Sequence, residues 1–314
     1  MEPKRYKFSG AGNDFVVIDG REGNVDAFRE KQRIEALCRA FQTDGLMILG
    51  NSVDDRSSVD FTMEFYNPDG SGGMMCGNGG RCIVAFADYL GIRPSCHPEL
   101  AEGSYLFRAP DGLHTGEILE KPADGLWTVR LKMIDVHGVT PIKGGYFLNT
   151  GTRHFVQFVD DVEAVDVEEE GKALRWDPAF APVGTNVNFV HVAPDGLHVR
   201  TFEKGVEGET LACGTGLTAV AIAAYARDSF VGLRPPRNDN FHSVPSRNDN
   251  FHSALPRNDS SNRNGNSVIP SEAKKSYRLR ARRDWLSVDF TAGPDHTFTN
   301  VYLTGPARLV DITE

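Results

Sequence analysis

The sequence predicts an α+β fold of two similar halves that meet at a shared cleft. Three observations carry this. A unit of strand, glycine-rich loop, cysteine and alanine-rich helix occurs twice. Landmarks of the first half recur in the second: Cys76 and Cys213 are 137 residues apart, and Gly12 and Gly151 are 139 apart, which argues for an internal duplication. The 314 residues, 40% of them hydrophobic, suffice for two ordinary cores, since a domain takes roughly 150 residues.

The first copy of the unit begins with Val59-Asp60-Phe61-Thr62-Met63-Glu64-Phe65-Tyr66, whose apolar and polar residues alternate as in a strand. The loop Asn67 to Arg81 follows, and Cys82 to Leu90 reads as a buried helix stopped by Gly91. The second copy runs from the strand Leu197 to Phe202, through Glu203 to Gly216, into the helix Leu217 to Tyr225. Phe65 precedes Cys76 by 11 residues, and Phe202 precedes Cys213 by 11. A helix start offers unpaired N–H groups and the positive end of a dipole. A cysteine placed there is expected to have a lowered pKa.

The remaining elements follow in order. Phe15 to Ile18 is a continuous apolar run and reads as a buried strand. Gly10 and Gly12 do not make a dinucleotide fingerprint, because they precede the strand and Phe15 stands where a third glycine should be. Glu30 to Phe41 has helical spacing through Ile34, Leu37 and Cys38, with Cys38 pointing into the core. Leu46 to Leu49 is a strand. Cys96 and His97 have no second pair at ligand spacing, so no metal site is expected. Tyr105 to Val136 reads as two or three strands, with turns at Pro110-Asp111-Gly112 and Ala123-Asp124-Gly125.

The halves divide between 1–138 and 139–314, near Gly138 to Gly144. Beyond the boundary, Gly151-Thr152-Arg153-His154 echoes Gly12-Asn13-Asp14-Phe15, and Gly184 to Val190 echoes Asp44 to Ile48. Asp160 to Glu170 reads as an acidic solvated face. Arg237 to Ser243 recurs as Arg247 to Ser253, and Arg257 starts a third copy. This polar, low-complexity stretch reads as a flexible insertion over 229–275, too poor in core residues to fold. Tyr277 to Phe290 and Asn300 to Val310 resume strand character.

Composition narrows the function. The net charge of −9 argues against a nucleic-acid partner. No apolar run approaches the roughly 20 residues of a membrane span. Met1 to Tyr6 has no apolar stretch behind it, so no secretory signal is expected. Five sparse cysteines do not suit a disulfide framework and point to a reducing cytoplasm.

Two cysteines opening helices in matching halves suggest a pair facing one substrate. With an amino-acid α-carbon between them, a thiolate removes the proton from one face and a thiol protonates the other. A cysteine pKa near 8.5 can be tuned either way. The developing charge needs preorganised donors, which the Gly77-Asn78 and Gly214-Thr215 amides at two helix starts would supply. This scheme needs no cofactor and no metal.

Gly12-Asn13-Asp14-Phe15, Asn67-Pro68-Asp69-Gly70, Met75-Cys76-Gly77-Asn78-Gly79-Gly80-Arg81, Gly205-Val206-Glu207-Gly208-Glu209-Thr210 and Ala212-Cys213-Gly214-Thr215-Gly216 together resemble diaminopimelate epimerases. The resemblance covers nearly the whole chain apart from the repeats. It implies two pseudo-symmetric, β-rich, barrel-like halves, each wrapped around a central helix, with the active site in the cleft between them and the C-terminal strand returning to the first half. It implies a cofactor-independent, cytoplasmic homodimer that interconverts LL- and meso-diaminopimelate in lysine and peptidoglycan-precursor synthesis. Carried over by position, Cys76 and Cys213 are the catalytic pair, matching the cysteines associated with the LL and meso isomers respectively. Asn13, Gln42, Asn67 and Asn186 match positions that hold the distal amino-acid end and the backbone of the substrate. Gly77, Asn78, Gly214 and Thr215 match the carboxylate loops. His154 and Glu203 match residues near the thiols.

Two positions depart from the family pattern. Lys204 stands where the family commonly has arginine, which exchanges a bidentate fork for a point charge. Thr152 stands where many members carry a substrate-contacting asparagine. The nearest rival is a proline or hydroxyproline racemase, which usually reads Cys-Gly-His-Gly where this chain has Cys76-Gly77-Asn78-Gly79. A thiol redox protein is a third reading, without a Cys-x-x-Cys to support it.

Overall fold

The structure, a computed structural model, describes residues 3–52, 59–73, 75–95, 100–230 and 273–313. The first half contains β1 (Arg5–Gly10), β2 (Asn13–Asp19), α1 (Lys31–Phe41), β3 (Leu46–Gly50), β4 (Phe61–Tyr66), α2 (Gly77–Tyr89), β5 (Ser104–Ala109), β6 (Gly112–Ala123) and β7 (Leu126–Lys132). Two short strands, β8 (Val136–His137) and β9 (Thr140–Ile142), lead into the second half. There follow β10 (Gly145–Asn149), β11 (Arg153–Phe158), α3 (Val167–Arg175), β12 (Asn186–Ala193), β13 (Gly196–Glu203), β14 (Gly208–Thr210), α4 (Gly214–Phe230), β15 (Ala273–Arg280), β16 (Trp285–Ala292) and β17 (Thr297–Thr313).

Strand pairing repeats between the halves. β1 and β2 are antiparallel, β2 and β3 parallel, β3 and β4 antiparallel, and β4 and β5 parallel. β10 through β13 and then β15 follow the same alternation. Registers correspond as well: Met47 pairs with Phe65, and Val187 with Phe202. The first ring closes through β5, β6, β7 and β17 back to β1.

β17 serves both rings. Its early residues pair with β16 and β8, and from Gly305 onward it pairs with β7 and then β1. Continuous hydrogen bonding along one 17-residue strand ties the halves together.

Each ring encloses a helix. Gly77 to Ala87 of α2 are buried on all sides, as are Leu217 to Ala223 of α4. A helix without a polar face is what an enclosed position requires, and small residues let strands surround it. The flanking strands are apolar on both sides for the same reason. In β2, Phe15 and Val17 face the core around α2, while Val16 and Ile18 face Ile34, Leu37 and Cys38 of α1 outside the ring. α3 covers the equivalent outer face of the second half through Val167, beside Phe155 and Phe202.

The acidic run is more than a solvated face. Asp166 caps α3 by accepting from the Glu169 N–H, and Glu168, Glu169 and Glu170 fill its first turn, where the helix dipole favours negative charge. α4 and β15 also extend into the expected insertion, to Phe230 and from Ala273. The repeats themselves, and Cys96 with His97, lie outside the described residues. Among the described residues no helix is long and apolar enough to cross a membrane.

Candidate active site

The two cysteine loops meet where the N-termini of α2 and α4 abut. Cys76 is the N-cap of α2, and its Sγ accepts from the Gly79 N–H at 3.2 Å. Cys213 immediately precedes α4, and its carbonyl accepts the Leu217 N–H at 2.9 Å. A Cβ on Gly77 would lie 3.6 Å from Gly214 Cα, and Leu303 of β17 packs against both glycines. The Asn78 amide crosses the seam, donating to Ala212 O at 3.1 Å and to Asn13 Oδ1 at 2.5 Å. Arg81, fully buried, donates to Asn78 Oδ1 at 2.8 Å and to Gly77 O at 3.2 Å. The first helical turn, the opening loop and the opposite half are thereby held in one network.

Both thiols are free and both are pushed upward. Burial raises Cys76 to about 11, against the lowering effect of the Gly79 amide. Burial raises Cys213 further, and Glu203 adds to the shift at both sulfurs. The expectation of lowered thiols is therefore corrected. The helix amides do act in that direction, but removing the sulfurs from water outweighs them. Glu203 is itself raised by burial, and Thr210 Oγ1 donates to its Oε2 at 2.9 Å.

His154, fully buried, reaches Cys213 indirectly. Its Nε2 lies 2.9 Å from Thr152 Oγ1 and 3.0 Å from Thr215 Oγ1, and Thr215 Oγ1 lies 3.4 Å from Cys213 Sγ. Burial lowers the imidazole to about 3, so the ring is neutral. Thr150 fixes this turn by donating to Thr215 O at 2.8 Å.

The other candidates have varied positions. Asn186, buried at the start of β12, ties the start of β11 to the turn after β13, donating to Arg153 O at 2.8 Å and accepting from the Lys204 N–H at 2.9 Å. Lys204 is exposed in the turn after β13. Asn67 holds its own turn, with Nδ2 donating to Ser71 Oγ at 3.0 Å. Gln42 is the left-handed C-cap of α1 and lines an open pocket of about 560 Å³ with Glu35, Arg39, Asp44 and Asp69. Among the described residues no hydrogen bond joins Gln42 to either cysteine loop.

Comparison with known proteins decides the family. The profile described as Diaminopimelate epimerase matches residues 5–109 and 146–244. The chain belongs to the diaminopimelate epimerase family. The protein named diaminopimelate epimerase in Flavobacterium psychrophilum is 42% identical over 229 residues, covering 71% of this chain and 82% of that one. Its namesake in Chlorobaculum tepidum is 40% identical over 226 residues, covering 69% and 81%. In Aquifex aeolicus the figures are 40% over 246 residues, covering 71% and 81%.

Solved structures share the fold at low identity. A hydroxyproline epimerase from Agrobacterium vitis superposes with a TM-score of 0.59 at 14% identity, covering 99% of this chain and 90% of that one. A PhzF-family protein from Enterococcus faecalis gives 0.55 at 12%, covering 100% and 98%. The family's pseudo-symmetric β-rich architecture is the one described above.

Sequence reasoning passed over Asn188 and the linking role of Arg81. Asn188 had a signal: a polar residue two after Asn186, on the same face of a strand otherwise apolar from Val187 to Val190.

Proposed function

We propose that this protein is a cofactor-independent diaminopimelate epimerase, interconverting the LL and meso isomers with Cys76 and Cys213 as its two acid–base groups. The observation that supports this most is the pair of thiols at two helix starts that meet at Gly77 and Gly214, with the charge of Glu203 acting on both. One sulfur, as thiolate, takes the α-proton from one face, and the other, as thiol, delivers a proton to the opposite face. Exchanging the two roles gives the reverse reaction.

Burial, and then Glu203, disfavours ionisation of both sulfurs. The α-ammonium of an entering substrate supplies the positive charge that lowers the thiol it faces. The substrate carboxylate sits at the paired helix N-termini, whose amides stabilise charge spreading from the α-carbon. Asn13, Asn67 and Asn186 hold the distal amino-acid end. Lys204 reaches the carboxylate as a point charge, and Gln42 takes part only where the distal end extends to its pocket. The working form is a cytoplasmic homodimer with this small molecule as its ligand, acting in lysine and peptidoglycan-precursor synthesis.

The test is α-proton exchange followed by NMR. Reduced protein is incubated in heavy water with LL-diaminopimelate, and with proline in parallel. Deuterium uptake with inversion on diaminopimelate, lost in Cys76→Ala and Cys213→Ala, is the expected outcome. Exchange on proline alone moves the protein to the racemases. No exchange on either, from folded protein, overturns the proposal.

A further inference from the structure

We propose that Asn188 is a positioning residue that holds His154 as its Nε2–H tautomer, so that the ring donates through Thr215 toward the sulfur of Cys213. Asn188 Nδ2 lies 3.1 Å from Phe155 O, and its Oδ1 lies 3.0 Å from Thr201 Oγ1. A carbonyl oxygen only accepts, so the amide group facing Phe155 O is the NH2. The same NH2 lies 3.2 Å from His154 Nδ1. Nδ1 must then accept, and the ring proton of the neutral imidazole resides on Nε2. The opposite tautomer would set two donors against each other between two fully buried side chains, which is costly.

The direction of the remaining bonds follows. Nε2–H faces Thr215 Oγ1 at 3.0 Å and Thr152 Oγ1 at 2.9 Å. Asn186 Nδ2 donates to Thr152 Oγ1 at 3.3 Å, and the Thr152 and Thr215 hydroxyls lie 3.3 Å apart, so the two hydroxyls share the Nε2–H between them. When Cys213 is a thiolate it has no proton, and the 3.4 Å contact with Thr215 must be O–H donating to sulfur. The chain of donors runs from Asn188 to His154 to Thr215 to Cys213. His154 acts here as a donor that favours the thiolate, and it is not the base that takes the thiol proton.

Burial alone shifts the ring, with no charged group contributing. Glu203 from β13 and Cys76 from the opposite loop are the titratable groups that face Cys213, and both oppose its ionisation. The Thr215 hydroxyl and the Gly216 amide act in the opposite direction, and the donor chain feeds the first of these.

The tautomer is independent of the proposed reaction, and only the consequence for Cys213 rests on that reading. The first experiment is therefore spectroscopic. Protein carrying 15N-histidine, with His154→Gln to assign the signal, is examined at neutral pH for the two ring nitrogens. The expected result is an unprotonated Nδ1 and a protonated Nε2. A protonated Nδ1 overturns the proposal. In Asn188→Asp a carboxylate replaces the donor, and Nδ1 gains a proton if Asn188 sets the tautomer. An unprotonated Nδ1 there assigns the tautomer to something else.

The second experiment follows alkylation of each thiol by iodoacetamide against pH. In Asn188→Leu, Cys213 is expected to react roughly tenfold more slowly at neutral pH, with its profile moved upward, because the thiolate loses a charge-assisted donor. Cys76 is the internal control and keeps its rate. An unchanged Cys213 profile overturns the relay even where epimerase activity is absent for another reason.

Discussion

Gly77 and Gly214 stand back to back: a Cβ added to Gly214 would lie 3.3 Å from Gly77 Cα and 3.0 Å from Leu303 Cδ2. The leucine can rotate, but the facing backbone belongs to a helix enclosed by strands. Gly214→Ala gains up to ~1 kcal/mol of helix propensity, while overpacking costs ~1–3 kcal/mol. A net loss of up to about 2 kcal/mol, hence a modest drop in melting temperature, is expected. Activity should fall at least about tenfold, since small displacements of reacting groups are expensive. Thermal melts and kcat on the same preparation check this, and a wild-type kcat would show that the helix starts need not abut.

Glu203 opposes ionisation of both thiols. Glu203→Gln removes that charge, so both cysteines should become more reactive toward iodoacetamide at pH 7. Epimerisation should nevertheless fall, because the carboxylate held by Thr210 is lost from the site. Slower alkylation of either thiol in the variant would contradict the assigned electrostatics.

His154 carries a pH signature of stability. Its folded pKa is depressed to about 3 from an ordinary 6.5, so the unfolded chain binds the extra proton between these values. Stability contributed by the neutral ring is whole above pH 6.5 and is lost as pH falls toward 3. The slope is about 1.4 kcal/mol per pH unit within that window. Urea unfolding at pH 7 and pH 5 should show this loss in the wild type. His154→Gln should lose less stability over the same interval by that contribution, and an equal loss would argue against a buried neutral ring.

Arg81 is fully buried, and among the described residues no carboxylate lies within ion-pair distance of it. Burial lowers its guanidinium to about 10, and among the described residues its Nε has no hydrogen-bond partner. Arg81→Met removes a desolvated cation, which offsets the lost hydrogen bonds, so stability should change by less than about 2 kcal/mol. Activity should fall by roughly 100-fold, because Asn78 loses the donor that orients it across the seam. Arg81→Lys keeps the charge without the fork and should not restore activity. Restoration by lysine would assign the effect to charge alone.

Much of this was legible in the chain. The repeated unit, the equal spacing from Phe65 to Cys76 and from Phe202 to Cys213, and the doubly apolar run Phe15 to Ile18 are local signals. They reflect enclosed helices and strands covered on both faces. α3 was missed because its acidic first turn resembles a solvated surface unless the cap at Asp166 is recognised. The elevated thiols were missed because a helix start acts locally, whereas desolvation depends on everything packed around the sulfur. Arg81 lay within a recognised motif, but nothing in the motif reveals that its fork grips Asn78.

The sequence alone determined the duplication, the two cysteines at helix starts and the family pattern, because these are encoded in residue type and spacing. Only the tertiary structure decided which groups touch. It joined Asn78 to Ala212 across 134 residues and His154 to Thr215 across 61. It ran β17 through both rings, and it set the thiols by burial instead of by the dipole. The reason is physical: hydrogen-bond direction and desolvation belong to the packed ensemble of neighbours, and chain-distant neighbours exist only once the strands of each half have packed around its helix.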